Sequence, residues 1–123
     1  MPHDAQKYLY DIQNSCDFLL DFTAGRTVDD YTGDRAFRSA VERELQIIGE
    51  AVRQLNRAAP HVAAGISEHQ NIIAFRHVLV HGYDSLQPDT VWNVIEVKLA
   101  VLRAEVENLL KQLGARETGG CPW

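Results

Sequence analysis

The spacing of apolar residues is helical along most of this chain, and it constrains the fold more than any other feature of the sequence. In three long segments, apolar side chains recur every three or four residues, which places them on one face of an α-helix. The three stripes consist of Leu9, Ile12, Cys16 and Leu19; of Phe37, Val41, Leu45, Ile48, Val52 and Leu55; and of Val91, Ile95, Leu99, Leu102, Val106, Leu109 and Leu113. The alternation typical of β-strands does not occur. The sequence therefore predicts three long amphipathic helices.

Capping and breaking residues predict where these helices begin and end. The first helix runs to about Phe22 and stops at Gly25, because glycine accepts the left-handed conformation that closes helices. The second runs from Arg35 to Ala59, with Asp34 as its N-cap. Pro60 ends it, because the residue before a proline is pushed out of helical geometry.

A shorter third helix and several loops complete the prediction. This helix starts at Ser67 or Asn71 and ends at Gly82, and the last long helix follows a turn and Pro88. The connecting segments are an acidic stretch at 27–33, a loop at 60–65 and a turn at 84–87. The expected fold is an all-α, antiparallel up-down bundle of three long helices plus one or two short ones.

The domain is expected to occupy residues 1–114, since Gly114 should terminate the last helix. The Gly-rich segment 115–123 has no period and is expected to be a disordered tail. A chain of 123 residues is the size of one domain. Two unpatterned cysteines, Cys16 and Cys121, suit a reducing compartment. With neither a signal peptide nor a membrane-length apolar run in view, a cytoplasmic location without membrane attachment is expected.

The charge balance restricts how this protein can contact nucleic acid. The formal net charge is −5, and proteins that hold nucleic acid by bulk charge are usually basic. Any RNA contact must therefore be confined to a small positive site, and binding to bare RNA should be weak and sensitive to salt.

One short stretch concentrates residues capable of chemistry. Arg76 to Tyr83 reads RHVLVHGY and contains two of the five histidines of the chain. On an ideal helix, Arg76 and Tyr83 share one face and His77 and His81 share a second. Arg76 and His81 are about 140° apart, so they flank a common edge. A long arginine side chain, and a helix that loosens at Gly82, would allow both groups to reach one ligand.

Three interpretations fit this stretch. In the first, the cationic side chains cap the last carbonyl groups of the helix, where the macrodipole favours positive charge. In the second, the H-x-x-x-H spacing binds a metal ion through two imidazoles on one helical face. In the third, the stretch performs phosphoryl chemistry, because histidine exchanges protons near neutral pH and arginine holds phosphate through paired donors.

A resemblance to a known family rests on these residues. The pattern R-x-x-x-x-H-x-Y, formed by Arg76, His81 and Tyr83, resembles the signature of HEPN-domain proteins, specifically HepT-like toxins. The run AVERELQIIGEA at 40–51 and the Leu-rich closing helix are similar to the same family. The resemblance covers roughly Lys7 to Leu113.

This resemblance implies a metal-independent endoribonuclease that needs no cofactor and is the toxin of a type VII toxin–antitoxin pair. The antitoxin would be a small nucleotidyltransferase encoded beside it. The resemblance also implies a homodimer, in which the motifs of two copies form one composite site, and a substrate that is RNA (tRNA or mRNA) rather than DNA. The alternative is a non-catalytic HEPN module that binds nucleotide or a partner.

Site residues follow position by position from the same resemblance. Arg76 would stabilise the charge on a phosphate while His81 moves the proton of the attacking ribose hydroxyl. Tyr83 corresponds to the tyrosine that the partner adenylylates. His77 stands where the family commonly has asparagine and is expected to support the other two. Arg43 and Glu50 share one face of the second helix and are expected to line the dimer cleft without a catalytic role.

Overall fold

The protein folds into a bundle of α-helices. A computed structural model describes residues 2–82 and 86–119, and the side chains of residues 4–82 and 86–114 within them. Its helices are α1 (Pro2–Phe22), α2 (Val28–Gly33), α3 (Arg35–Ala58), α4 (Pro60–Ala63), α5 (His69–His81), α6 (Pro88–Asn93) and α7 (Leu99–Gly119). A π-helical turn, Val94–Lys98, joins α6 to α7. The described residues contain no strand, so the predicted all-α bundle is confirmed.

The long helix α3 lies at the centre of the packing. It contacts α1 on one side and α5 on another, while α7 packs against α1. The three predicted apolar stripes face one another in a continuous core, in which Leu9, Val41 and Val106 are fully buried. Burial of such side chains supplies the main favourable term in folding. Amphipathic spacing therefore predicted which faces meet.

Several predicted helix ends are confirmed. Gly25 follows α1 with φ +75°, in the left-handed region that favours glycine. The carboxylate of Asp34 accepts a hydrogen bond of 3.1 Å from the backbone N–H of Phe37, and so caps α3. Pro88 occupies the first turn of α6.

Two segments predicted to be irregular are helical instead. The acidic connection at 27–33 contains α2, because the Thr27 hydroxyl accepts from the N–H of Asp30 while the Asp30 carboxylate accepts from the N–H of Thr27. The loop at 60–65 contains α4. Pro60, which ends α3, is also the first residue of α4, and Val62 of this short helix is buried in the core.

The end of the last helix was also wrongly predicted. Helix α7 continues through Gly114 to Gly119. A helical glycine costs only about 1 kcal/mol relative to alanine, and Ala115 and Arg116 after it are good helix formers. Residues 120–123, which include Cys121, lie outside the described residues. Within the described part of the chain, no helix is long and apolar enough to span a membrane.

Candidate functional site

Helix α5 carries the R-x-x-x-x-H motif and is held against α3 by an apolar edge. Leu79 is buried, while Ile72, Ile73 and Phe75 pack partly buried against the core. The helix ends where predicted, and the N–H of Gly82 donates to the carbonyl of Val78 at 2.8 Å. The polar residues of the motif therefore lie at the C-terminal end of a helix whose opposite edge is fixed by packing.

A glycine on α3 allows the two helices to approach closely at Arg76. A Cβ atom added to Gly49 would lie 2.7 Å from Cγ of Arg76 and even closer to its Cβ. Real carbon atoms do not approach to this distance, so any larger residue would push the arginine away. Gly49 thus leaves the space that the stem of the Arg76 side chain occupies at the α3–α5 contact.

The guanidinium of Arg76 lies beside the carboxylate of Glu50. Nη2 of Arg76 is 3.3 Å from Oε2 of Glu50 in an ion pair, with 29% of the arginine side chain and 38% of the glutamate side chain exposed. The other oxygen, Oε1, accepts hydrogen bonds from Gln54 at 2.9 Å and from Arg53 at 3.1 Å. The Gln54 hydrogen bond, with the charges of Arg76 and Arg53, lowers the pKa of Glu50.

Arg76 and Glu50 open into a surface cleft of about 260 Å³ between α1, α3 and α5. Its lining includes both Arg43 and Glu50, which the spacing along α3 places on one face; that these residues line the cleft of a dimer stays a prediction. The complete lining is Tyr8, Asp11, Arg43, Gln46, Ile47, Glu50, Ala51, Gln54, Arg76 and Val80. In the capping interpretation, Arg76 would bind the last carbonyl groups of α5. Its guanidinium pairs with the Glu50 carboxylate in this cleft instead.

The two histidines of the motif lie on the neighbouring face of α5. The rings of His77 and His81 are in contact, with centroids 4.8 Å apart and planes at 54°, and both residues are exposed. Each histidine follows a residue that lines the cleft, His77 after Arg76 and His81 after Val80. One helical step of 100° therefore separates the imidazoles from the cleft-facing side chains.

The structure brings together one pair of residues that the spacing predicted and one pair that it did not. It joins Arg76 to Glu50 in an ion pair and His77 to His81 in a ring contact, and the helical conformation of α5 ends at His81, so that Gly82 is no longer helical, as expected. A joint action of Arg76 and His81 on one ligand stays a prediction. Tyr83 lies outside the described residues. Among the described side chains, no cluster of three or more potential metal ligands occurs, so the metal interpretation rests on the histidine pair.

Sequence reasoning missed Tyr8 and Gln54 as residues of the cleft. The stripe of α1 places Leu9 in the core, and Tyr8, one helical step away, is only partly buried and lines the cleft. Gln54 was identifiable as one turn beyond Glu50, since residues four apart are neighbours on a helix. Its hydrogen bond to Oε1 of Glu50 fixes the carboxylate.

A second groove, of about 250 Å³, separates α5 from the last helix and is mainly apolar. Ile72 and Phe75 lie on one side of it, and Val94 and Val101 on the other. Lys98 and Glu68, which form an ion pair of 3.0 Å, are also among its lining residues. The groove exists because α5 packs on α3 without closing against α7.

Comparison with known proteins places these features in a family. The family model described as "Ribonuclease HepT-like" matches residues 12–109. This range includes all of α5 and every residue that lines the cleft except Tyr8 and Asp11. "Putative RNase MJ1216" of Methanocaldococcus jannaschii is 25% identical over 118 residues, 93% of each chain. "Putative RNase MJ0125" of the same organism is 27% identical over 114 residues, 89% of this chain and 94% of the relative.

A third relative carries the family name itself. "Probable ribonuclease HepT" of Thermococcus cleftensis is 25% identical over 111 residues, 90% of this chain and 100% of the relative. No solved structure shows a significant match. Because the family model covers most of the chain, including the complete R-x-x-x-x-H-x-Y pattern, this protein belongs to the HepT-like ribonuclease family of HEPN proteins.

Proposed function

We propose that this protein is an endoribonuclease that cleaves RNA without a metal ion, through the ribose 2′-hydroxyl group. The observation that carries the proposal is the family match, which spans the motif on α5. The relatives named as ribonucleases align over 85% or more of this chain. The arrangement of an arginine and two exposed imidazoles on one helix end supports the same chemistry.

In the proposed reaction, His81 accepts the proton of a 2′-hydroxyl group as its oxygen attacks the adjacent phosphorus. A new P–O2′ bond forms and the P–O5′ bond breaks. The departing 5′-oxygen takes up a proton, so the products are a 2′,3′-cyclic phosphate and a 5′-hydroxyl. Arg76 stabilises the charge that develops on the phosphate. His77, in ring contact with His81, is the second imidazole available for proton transfer.

The decisive experiment measures cleavage of total RNA or tRNA by the purified protein in the presence of EDTA. We expect cleavage, products ending in a cyclic phosphate, and a loss of at least about a hundredfold in rate for His81→Ala. Arg76→Ala should cause a comparable loss. Matched controls are His61→Ala and Arg57→Ala, both exposed and outside the cleft lining and the histidine pair.

The result that would overturn the enzyme proposal is equally specific. Either an absence of cleavage, or cleavage that survives both substitutions, would leave a non-catalytic HEPN module that binds nucleotide or a partner. Circular dichroism of each variant must show the helical content of the wild type, because Arg76 also packs at the α3–α5 contact.

We also propose that the protein is a toxin whose activity is silenced by a nucleotidyltransferase partner. The partner would transfer AMP from ATP to the hydroxyl oxygen of Tyr83, with loss of the phenolic proton and release of pyrophosphate. The support is the match of Tyr83 to the tyrosine of the family motif. The negative charge of AMP so close in sequence to Arg76 would compete with RNA phosphate.

Co-expression with a nucleotidyltransferase encoded beside this protein tests the proposal. We expect the mass of AMP on a peptide that contains Tyr83, and relief of growth inhibition that Tyr83→Phe abolishes. Tyr10→Phe is the control, since Tyr10 is 52% exposed and lies outside the motif. If Tyr83→Phe is silenced as well as the wild type, modification of this residue is not the control mechanism.

A homodimer completes the proposal, with the motifs of two copies sharing one site. The exposed position of His77 and His81 supports it, because both imidazoles are available to a second protomer. Light scattering on the purified protein should give twice the mass of the 123-residue chain. A monomer with full ribonuclease activity would contradict a shared site.

A further inference from the structure

The cleft beside Arg76 combines an apolar wall with polar groups that can bind a flat, neutral ligand. Ile47 and Val80 supply apolar surface, and Tyr8 supplies an aromatic ring at the α1 side. Gln46 and Gln54 add amide groups. Unpaired bases of RNA are commonly bound in this way, by stacking on aromatic rings and by hydrogen bonds to their edges.

The charges of the cleft disfavour a phosphate in its interior. Two arginines, Arg43 and Arg76, are balanced by two carboxylates, Asp11 and Glu50. Glu50 already pairs with Arg76 at 3.3 Å, so a second anion placed there would lie beside a carboxylate. The interior therefore suits an uncharged part of a nucleotide, with the phosphate at the rim.

Glu50 presents one acceptor that no hydrogen bond satisfies. Its Oε2 atom is buried and has no hydrogen-bond partner, although the Arg76 guanidinium is near it. Its Oε1 atom is fully engaged by Gln54 and Arg53. The ion pair with Arg76 offsets the charge of this oxygen without completing its hydrogen bonding, so a donor supplied by a ligand would be favoured at Oε2.

We propose that this cleft is a nucleobase subsite in which Glu50 accepts a hydrogen bond from an amino group of the base. The inference rests on the proposed ribonuclease function, and it assigns to Glu50 the selection between bases. Adenine, cytosine and guanine carry an exocyclic amino group and are accepted. Uracil is disfavoured, because its ring N–H lies between two carbonyl oxygens that a carboxylate repels.

The position of the subsite relative to the motif fits a nucleotide bound across it. Arg76 and Val80 line the cleft, and the two histidines follow them one helical step around α5. A base held against Glu50 therefore directs its ribose and phosphate towards the α5 rim. This rim carries the two imidazoles that the proposed reaction uses, and Arg76 lies between them and the interior of the cleft.

The first test measures binding of the four nucleoside 3′-monophosphates by NMR titration, which needs no catalysis. For the wild type, we expect the adenosine, cytidine and guanosine compounds to bind about tenfold more tightly than the uridine compound, the effect of one hydrogen bond to a charged group. Glu50→Gln should reduce this ratio to near one, because an amide can also donate to a uracil carbonyl. Glu44→Gln, the same change on the same helix outside the cleft, should keep it.

The ratio between bases is the informative quantity in Glu50→Gln. Loss of the carboxylate also removes the counter-charge of Arg76, and this strengthens phosphate binding for all four compounds alike. Tyr8→Ala should weaken all four, whereas Tyr8→Phe should not. Equal affinities for the four bases in the wild type, or an unchanged ratio in Glu50→Gln, would overturn the subsite.

The second test separates this inference from the proposed function. Ends of fragments cut from a random-sequence RNA should show uridine depleted at one position next to the cut, and Glu50→Gln should remove that depletion. Cleavage without any base preference would overturn the subsite and leave the ribonuclease. Base-selective binding without cleavage would overturn the ribonuclease and leave a nucleotide-binding cleft.

Discussion

Gly49 and Arg76 meet where α3 and α5 cross, and the absence of a side chain on the first residue fixes the position of the second. The arginine stem occupies the space in which a Cβ at residue 49 would lie. The next residue along α3, Glu50, pairs with the guanidinium. Two consecutive positions of one helix therefore determine both the location and the charge environment of the arginine of the motif.

We expect Gly49→Ala to lower the free energy of unfolding by about 1–3 kcal/mol, the usual cost of overpacking. The clash is with the stem of Arg76, so RNA cleavage should fall with stability. Chemical denaturation and a cleavage assay measure the two effects. Gly114→Ala is the matched control: nothing lies within 4 Å of a Cβ there, and it should stabilise the protein by up to about 1 kcal/mol. Equal stability of Gly49→Ala and the wild type would contradict the contact.

Glu50 should make the protein sensitive to acid. Its pKa lies below the usual value of 4.5 because of the Gln54 hydrogen bond and the charges of Arg76 and Arg53. As the pH falls, the Glu50 carboxylate is therefore protonated at a higher pH in the unfolded state than in the folded state. The stabilisation that the ionised carboxylate gives above about pH 4.5 is lost as the pH falls through the folded-state pKa. Between about pH 5 and pH 3, the wild type should lose more stability than Glu50→Gln. Parallel curves for the two proteins would rule out this linkage.

Cys16 should cause a loss of stability in alkali. Burial, with a smaller effect of the Asp17 charge, raises the pKa of its thiol from 9.0 to about 12. Above about pH 9 the unfolded chain releases a proton that the folded chain keeps, so the free energy of unfolding falls by about 1.4 kcal/mol per pH unit from this group.

The comparison that isolates Cys16 is Cys16→Ala, made in a Cys121→Ser background. This variant should be less stable at neutral pH, because it leaves a cavity in the core. Its stability should fall less steeply above pH 9 than that of the parent. Iodoacetamide should modify the parent only at the rate at which the protein unfolds, and rapid labelling of the native protein would contradict the burial of the thiol.

The cap at Asp34 should contribute to the stability of the central helix. Asp34→Ala removes the acceptor for the N–H of Phe37 and should cost about 1 kcal/mol, measured as a lower midpoint in urea. Asp21→Ala is the control. Asp21 is an exposed aspartate in the last turn of α1, where negative charge is unfavourable, so its removal should not destabilise the protein.

Arg43 should contribute to RNA affinity through one phosphate contact. Arg43 is exposed and lines the cleft. We expect Arg43→Gln to weaken RNA binding and to reduce the slope of log affinity against log salt by about 0.7, the contribution of one phosphate contact to single-stranded RNA. Fluorescence anisotropy across a salt series measures this slope. An unchanged slope would place the RNA phosphates elsewhere, and Arg57→Gln should leave the slope as it is.

The sequence predicted the long helices well because each of them buries an apolar stripe, and the spacing of that stripe is visible in the sequence. The stripe residues of α1, between Leu9 and Leu19, and those of α3, between Phe37 and Leu55, are all buried as the spacing requires, while Tyr10, outside the stripe, is exposed. Helices α2 and α4 were missed because they are too short to show a period. The first is stabilised by the reciprocal Thr27–Asp30 cap, and the second by burial of Val62.

The candidate site was predicted less completely than the fold. Spacing along one helix placed His77 beside His81, and it placed Arg43 and Glu50 on one face of α3. The pairing of Arg76 with Glu50 depends on how α5 crosses α3, which sequence spacing within either helix does not encode. The two helices can cross closely at this point because Gly49 has no side chain, and spacing alone does not show where such a close contact is needed.

Helix α5, which carries the motif, packs extensively on α3 but not on α7 within the described residues, where an apolar groove intervenes. A segment that packs mainly on one neighbour opens at a lower free energy than the whole domain. The backbone amides of α5 should therefore exchange with deuterium faster than those of α1 and α3. A molecule that binds only while α5 is folded would protect these amides, whereas one that binds α5 in its locally unfolded state would inactivate the site without touching Arg76 or His81.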